Sequence, residues 1–301
     1  MSVPAYLSVV IVSKGKPDEL DGAIANMLNQ DRPPEEIVVL DNDPRGSGRQ
    51  AEHVGDPTVR YFCAGEDLGI VEGRNRAAAE AHGDVLLFMN DYIRFDKYFV
   101  TNMMMNAFRP REVVCLAFQV RNAASRELVL DEYPGRKTDR WTEAREVCGL
   151  SASVFAMRRS AFEEMGGFDV NLYGDEACLD LAFRAIKAGG QIRYLSDILV
   201  NLRATMRDPE PAPRAFTRLR NRLYVALKHL PFPYVFTYAV AWGCFSLYSG
   251  LLEREAGAFL QAIKAFKLEG LWDAARAYRR ANPPSWKFAD YLQKHEGRAM
   301  Y

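Results

Sequence analysis

Acidic side chains dominate the residues of this sequence that could do chemistry. "EIVVLD" (36–41) is an apolar run that ends in Asp41. "LLFMNDY" (86–92) is a second one, and it ends in Asn90, Asp91 and Tyr92. Carboxylates at the ends of buried strands are where α/β proteins handle ligands. "YGDEACLDLAFR" (173–184) places Asp175 and Glu176 at the start of a helical pattern. Glu176 and Asp180, four residues apart, share one face of that helix, and acids 175 and 176 gain from its N-terminal dipole. Other chemistries lack their signatures. The turn after the first apolar run, "SKGKPDE", has no GxGxxG, and neither a GxxxxGK[ST] loop nor a GxSxG elbow occurs. His53, His82, His229 and His295 lie too far apart in sequence to suggest a metal pair.

The elements that must carry these acids follow from periodicity. "LSVVIV" (7–12), "EIVVLD" (36–41), "VRYF" (59–62) and "DVLLFM" (84–89) read as strands, the apolar runs being covered on both faces. Pro17 opens a helix whose Leu20, Ile24, Met27 and Leu28 share a face, and a second helix is expected over about 71–81. This alternation predicts a Rossmann-like, doubly wound α/β sheet. Beyond Tyr92 the rhythm changes. Helices are expected in 95–108, 159–166 and 177–190, and strands in 112–121, 126–133, 147–159 and 191–196, giving a mixed sheet. From Arg203 on the chain reads as helical, with a boundary near residue 205. The expected division is 1–205, in halves 1–92 and 93–205, followed by a helical region 206–301.

With 39 Lys+Arg against 39 Asp+Glu, overall charge steers no partner, and a nucleic-acid role would need a local basic patch. None is expected. The five cysteines form no CxxC pair, which suggests buried, reduced thiols in a cytoplasm. "MSVPAYLSVVIV" lacks the basic start of a signal peptide. The tail holds one anomaly. Residues 201–228 carry seven Lys/Arg against two acids, with Phe216, Leu219, Leu223, Leu227 and Leu230 along one side, and 230–252 has no charge. Pro231, Pro233, Gly243 and Gly250 make a poor spanning helix. Two packings compete for this tail: a peripheral contact with an anionic membrane face, or burial against the sheet or a second subunit.

The series "SVVIV…PDEL", "EEIVVLDN", "EDLGIVEGRNRAAAEAHGDVLLFMND", "GGFD" and "DLAFRAIKAGG" resembles the family 2 glycosyltransferases of GT-A fold, over roughly residues 5–230. The resemblance implies transfer of a sugar, with inversion, from a nucleotide diphosphate to a hydroxyl. The expected donor is a UDP- or dTDP-hexose, and the expected acceptor a glycan, a lipid-linked saccharide or a small molecule. Asp41 would meet the uracil or thymine edge, and Ser13 would lie by the base and ribose. Gly73 would allow close backbone approach, with Arg74 and Asn75 near the diphosphate. At the family's Asp-rich triplet this chain has Asn90-Asp91-Tyr92, so Asp91 is the expected ligand for Mg²⁺ or Mn²⁺ alongside phosphate oxygens. Asn201 stands where a histidine ligand is often found. The resemblance also implies a carboxylate base ahead of the "DLAFR" helix, but Ala177, Cys178 and Leu179 stand directly there. Glu176 is the expected base, Asp175 its competitor, and Gly167, Phe168, Asp169 and Asp180 the acceptor side. The alternative is a non-catalytic sugar-nucleotide binder serving as a partner protein.

Overall fold

The computed structural model describes residues 6–106, 108, 110–135, 141–203, 214–252, 262, 264 and 270–295. Strand β1 (Leu7–Ser13) leads through α1 (Pro17–Leu28) to β2 (Glu36–Asp41), β3 (Val59–Cys63), α2 (Gly69–Ala79) and β4 (Val85–Asn90). β3, β2, β1 and β4 lie side by side and parallel. Their side chains alternate between two cores, as a strand requires. Val10, Val12, Val38, Leu40, Leu86 and Phe88 face one; Val9, Ile11, Ile37, Val39, Leu87 and Met89 face the other, against α1.

The second half continues the sheet with mixed direction: β5 (Ile93–Phe95), α3 (Phe99–Asn106), β6 (Val113–Asn122), β7 (Arg145–Val147), β8 (Val154–Arg158), α4 (Arg159–Glu164), α5 (Asp175–Lys187) and β9 (Gln191–Leu202). The order is β3-β2-β1-β4-β8-β6-β9-β5, with β7 on β9. Two expectations are corrected here. Residues 126–133 form no strand; they contribute a single bridge, Arg121 to Leu128, and a 3-10 turn at Leu130–Glu132. β9 runs past residue 196, because its second half pairs with the unforeseen β5.

Helices α6 (Arg214–His229), α7 (Phe232–Leu252), α8 (Leu271–Ala281) and α9 (Trp286–Lys294) follow. The boundary expected near 205 lies outside the described residues. What is described joins one core: Tyr224, Val225, Leu230, Leu271 and Phe288 pack in the same cluster as Phe183 of α5 and Phe155 of β8. No helix among the described residues is long and apolar enough to cross a membrane.

Candidate active site

Parallel register brings the C-terminal ends of β1, β2 and β4 together, pairing Ser13 with Asp41 and Val12 with Asn90. Asp91, buried just beyond β4, accepts the Ser13 hydroxyl at 2.7 Å. Asp41 is fully buried. Its carboxylate accepts from Asp43 N (2.8 Å), Gly48 N (2.7 Å) and the Tyr61 hydroxyl (2.7 Å). It therefore organises the 43–48 turn, and its oxygens are committed to the protein. Gly73 does allow a close approach, but to the strands. A Cβ there would lie 3.0 Å from Val12 Cγ1 and 3.2 Å from Asn42 Nδ2, so its absence seats α2 on β1 and β2.

Arg74 projects from α2 into the interior at the strand ends and is 4% exposed. Its Nη2 donates to Asn90 Oδ1 (2.9 Å) and to the Ala152 carbonyl (2.7 Å), and its Nη1 approaches Cys178 Sγ (3.7 Å). Every one of these partners is neutral. A buried guanidinium without a directly bonded carboxylate is costly. Asn75, one residue on, is used differently. It bonds both backbone groups of Phe168, at 3.0 and 2.8 Å, and so fixes the Gly166–Gly167 loop.

Of the acids around α5, only Asp175 is exposed; Glu176 is nearly buried and accepts from Arg222 Nε of α6 at 3.1 Å. Asp180 is wholly enclosed, with Lys228 at 2.6 Å and Arg184 and His229 at 2.8 Å. Burial alone would raise its pKa, but the His229 hydrogen bond and the charges of Arg184 and Lys228 hold it far below the usual carboxylate range. Asp169 accepts from Lys228 (2.7 Å), the Tyr224 hydroxyl (2.9 Å) and Asn171 (3.0 Å). Phe168 lies among Phe88, Phe155 and Phe162. The positions expected on the acceptor side thus form an internal lock between α5, the Gly167–Asp169 loop and α6, and no acceptor reaches Asp180. Cys178 lies in the first turn of α5, two residues before Asp180, and burial pushes its thiol up to about 12.

Sequence reasoning missed Glu132, Ser151 and Ser153. Glu132 accepts from both serine hydroxyls, at 2.6 and 2.7 Å, just beneath the Ala152 carbonyl that Arg74 uses. The signal was hidden, because the apolar run within 126–133 reads as a strand. For a divalent ion, no group of three His, Cys, Asp or Glu converges among the described residues. At this edge Asp41 is committed to the 43–48 turn and Tyr61, Asp91 lies just beyond β4, and Asn201 is engaged with Asp96 (3.2 Å) and Arg126 (3.4 Å). The donor set therefore fits a hard cation only as a single carboxylate, with phosphate oxygens and water completing the shell.

The family model described as glycosyl transferase family 2 matches residues 8–166. The chain belongs to glycosyl transferase family 2. An uncharacterized protein of Haemophilus influenzae is 28% identical over 138 residues, covering 42% of this family 2 chain and 73% of the relative. Solved structures share the GT-A fold at 16% identity. The structure of GalNAc-T7 with UDP, GalNAc and Mn2+ aligns with a TM-score of 0.68 over 97% of this chain; the alignment spans only 57% of the GalNAc-T7 chain. S. aureus TarS 1-349 in complex with UDP-GlcNAc gives 0.60, covering 97% of this chain and 93% of TarS. Mannosyltransferase PcManGT from Pyrobaculum calidifontis, with GDP-Man and Mn2+, gives 0.54, covering 96% of this chain and 78% of PcManGT. This chain is thus a family 2 glycosyltransferase with the α/β GT-A fold.

Proposed function

We propose that this enzyme transfers a hexose, with inversion, from a UDP- or dTDP-sugar to a hydroxyl of a glycan, lipid-linked or small-molecule acceptor. The observation that carries the reading is Arg74: a buried cation with neutral partners at the strand ends, bonded to Asn90, the residue before Asp91. A diphosphate is the complement of that charge. The nucleoside would lie over Ser13 and the turn that Asp41 organises. Asp91 would hold Mg²⁺ or Mn²⁺, and such an ion, when bound, offsets the charge that grows on the departing diphosphate. Asp175 serves best as base: it is exposed at the start of α5, whereas Glu176 is tied to Arg222. The carboxylate takes the acceptor proton as the hydroxyl attacks the anomeric carbon and the bond to diphosphate breaks. A screen of UDP-, dTDP- and GDP-sugars by thermal shift and donor hydrolysis, with and without Mn²⁺, tests this. Stabilisation by at least one nucleotide sugar is expected; indifference to all of them would remove the reading.

The same proposal seats the enzyme on an anionic membrane face, close to a lipid-linked acceptor. The surface differs from the one the sequence suggested. Arg220, Arg222 and Lys228 of α6 point inward, while Phe232, Phe236 and Val240 lie exposed along α7. Exposed Trp286 packs beside Tyr234 of α7, and Arg276, Arg280 and Lys287 are exposed on the adjoining α8 and α9. Aromatic groups flanked by cations match an anionic interface.

A further inference from the structure

Tyr92 stands where the family's triplet offers another acid, and it reads from sequence as a lost metal ligand. Its surroundings give it a different place. Arg74 Nη2 donates to Asn90 Oδ1 at 2.9 Å, and Asn90 Nδ2 donates to the Tyr92 hydroxyl at 2.5 Å. That hydroxyl lies 3.3 Å from Ser153 Oγ, which donates to Glu132 Oε1 at 2.7 Å. The two ends dictate the direction of every link. A guanidinium can only donate and an ionised carboxylate can only accept. Ser153 has one proton and gives it to Glu132, so toward Tyr92 it can only accept. Tyr92 must then donate to Ser153 and accept from Asn90. Turning the Asn90 amide over would set its NH₂ against the guanidinium and break the chain at both ends.

Glu132 also holds the main chain that meets Arg74. Its Oε2 accepts from Ser151 Oγ (2.6 Å) and Ser153 N (3.2 Å), and the residue between them supplies the carbonyl that takes Arg74 Nη2 at 2.7 Å. Both acceptors of Nη2 are therefore oriented from one carboxylate, which is 3% exposed and well inside the protein. We propose that Glu132 is a positioning residue for Arg74, acting through the one-way chain Asn90–Tyr92–Ser153 and through the Ser151–Ser153 turn. Arg74 is thereby held in one pose at the strand ends, with its counter-charge kept a hydrogen-bonded chain away and no carboxylate among the described residues bonded directly to the guanidinium. Tyr92 is the middle link of that chain. The inference rests on the reading of Arg74 as the diphosphate group.

The test is calorimetric titration of the full chain with UDP and, in parallel, with uridine, which lacks the diphosphate. Glu132→Gln and Tyr92→Phe are each expected to weaken UDP binding about tenfold, the loss for one charge-linked hydrogen bond, while uridine binding stays unchanged. The double variant should be no weaker than the worse single, because both break one chain, and Glu132→Asp should recover part of the loss. Equal losses for UDP and uridine, additive losses, or an unchanged Tyr92→Phe would overturn the inference. Where Glu132→Gln does not fold, the pair Tyr92→Phe and Ser153→Ala forms the same cycle. Arg74→Ala separates the two levels. If it leaves UDP binding intact, the diphosphate reading falls. If it abolishes binding while the chain variants do nothing, only the positioning role falls.

Discussion

Two neighbouring acids at the start of α5 differ because of what packs on them. Glu176 lies against Arg222, whose guanidinium also stacks 4.2 Å from the Trp242 ring centroid, so its carboxylate is held from behind by α6. Asp175, one residue earlier and rotated by about 100° around the helix, is exposed. A base must reach its proton before its strength matters. Asp175→Asn is therefore expected to lower turnover roughly 10²–10⁴-fold with nucleotide-sugar affinity unchanged. Glu176→Gln should act mainly on stability, because it leaves Arg222 buried without its partner. Steady-state rates and melting temperatures of both variants check this, and the reverse pattern would return the role to Glu176.

Among the elements, α6 ties the tail to α5 and the Gly167–Asp169 loop. It supplies Lys228 to both Asp169 and Asp180, Tyr224 to Asp169, His229 to Asp180 and Arg222 to Glu176. His229 is fully buried among Asp180, Lys187, Lys228, Phe183, Tyr278 and Phe288. Burial lowers its pKa from 6.5 to about 4, despite the Asp180 hydrogen bond. Between those values the unfolded chain binds a proton that the folded one refuses. Stability is thus complete above pH 6.5 and falls as the pH drops toward 4, by up to about 1.4 kcal/mol per pH unit. Asp180, whose folded pKa is depressed, adds stability that is present above its ordinary value and lost only at lower pH. Urea unfolding at pH 4.5 and 7.5 measures the difference. His229→Leu should flatten the slope in that window, and an unchanged slope would assign it to other groups.

At the scale of the whole molecule, α7 presents Phe232, Phe236, Val240 and Tyr248 to the outside, with Trp286 adjoining its first turns. Electrostatic adsorption weakens as the Debye length shrinks from about 10 Å at 0.1 M salt to about 3 Å at 1 M. Co-sedimentation with vesicles containing anionic lipid is expected at the lower salt and should drop at the higher. Arg276→Glu with Arg280→Glu should reduce it, whereas neutral vesicles should bind less at either salt. Absence of binding at 0.1 M by a folded sample would leave this face to a second copy of the chain.

The first half of the sheet was legible because its signals are local. A continuous apolar run reads as a strand covered on both faces, so β1, β2 and β4, with Asp41 at the end of β2 and Asp91 just beyond β4, were expected where they stand. The tail's helices were also expected, from period and charge. Neighbours more than a few residues away were not. Nothing within "RNRAA" says that Arg74 turns inward while Arg76 pairs on the surface with Glu72. Nothing within "DEACLD" says that Lys228 and His229, some fifty residues on, close over Asp180. Glu132 is the extreme case: its segment reads as a strand, and only the pairing of β4 with β8, whose preceding Ser151–Ser153 turn it holds, brings it close to Arg74. Periodicity determines which residues are buried; which charges meet once buried is decided by tertiary packing, since a Coulomb partner depends on distance in space and not along the chain.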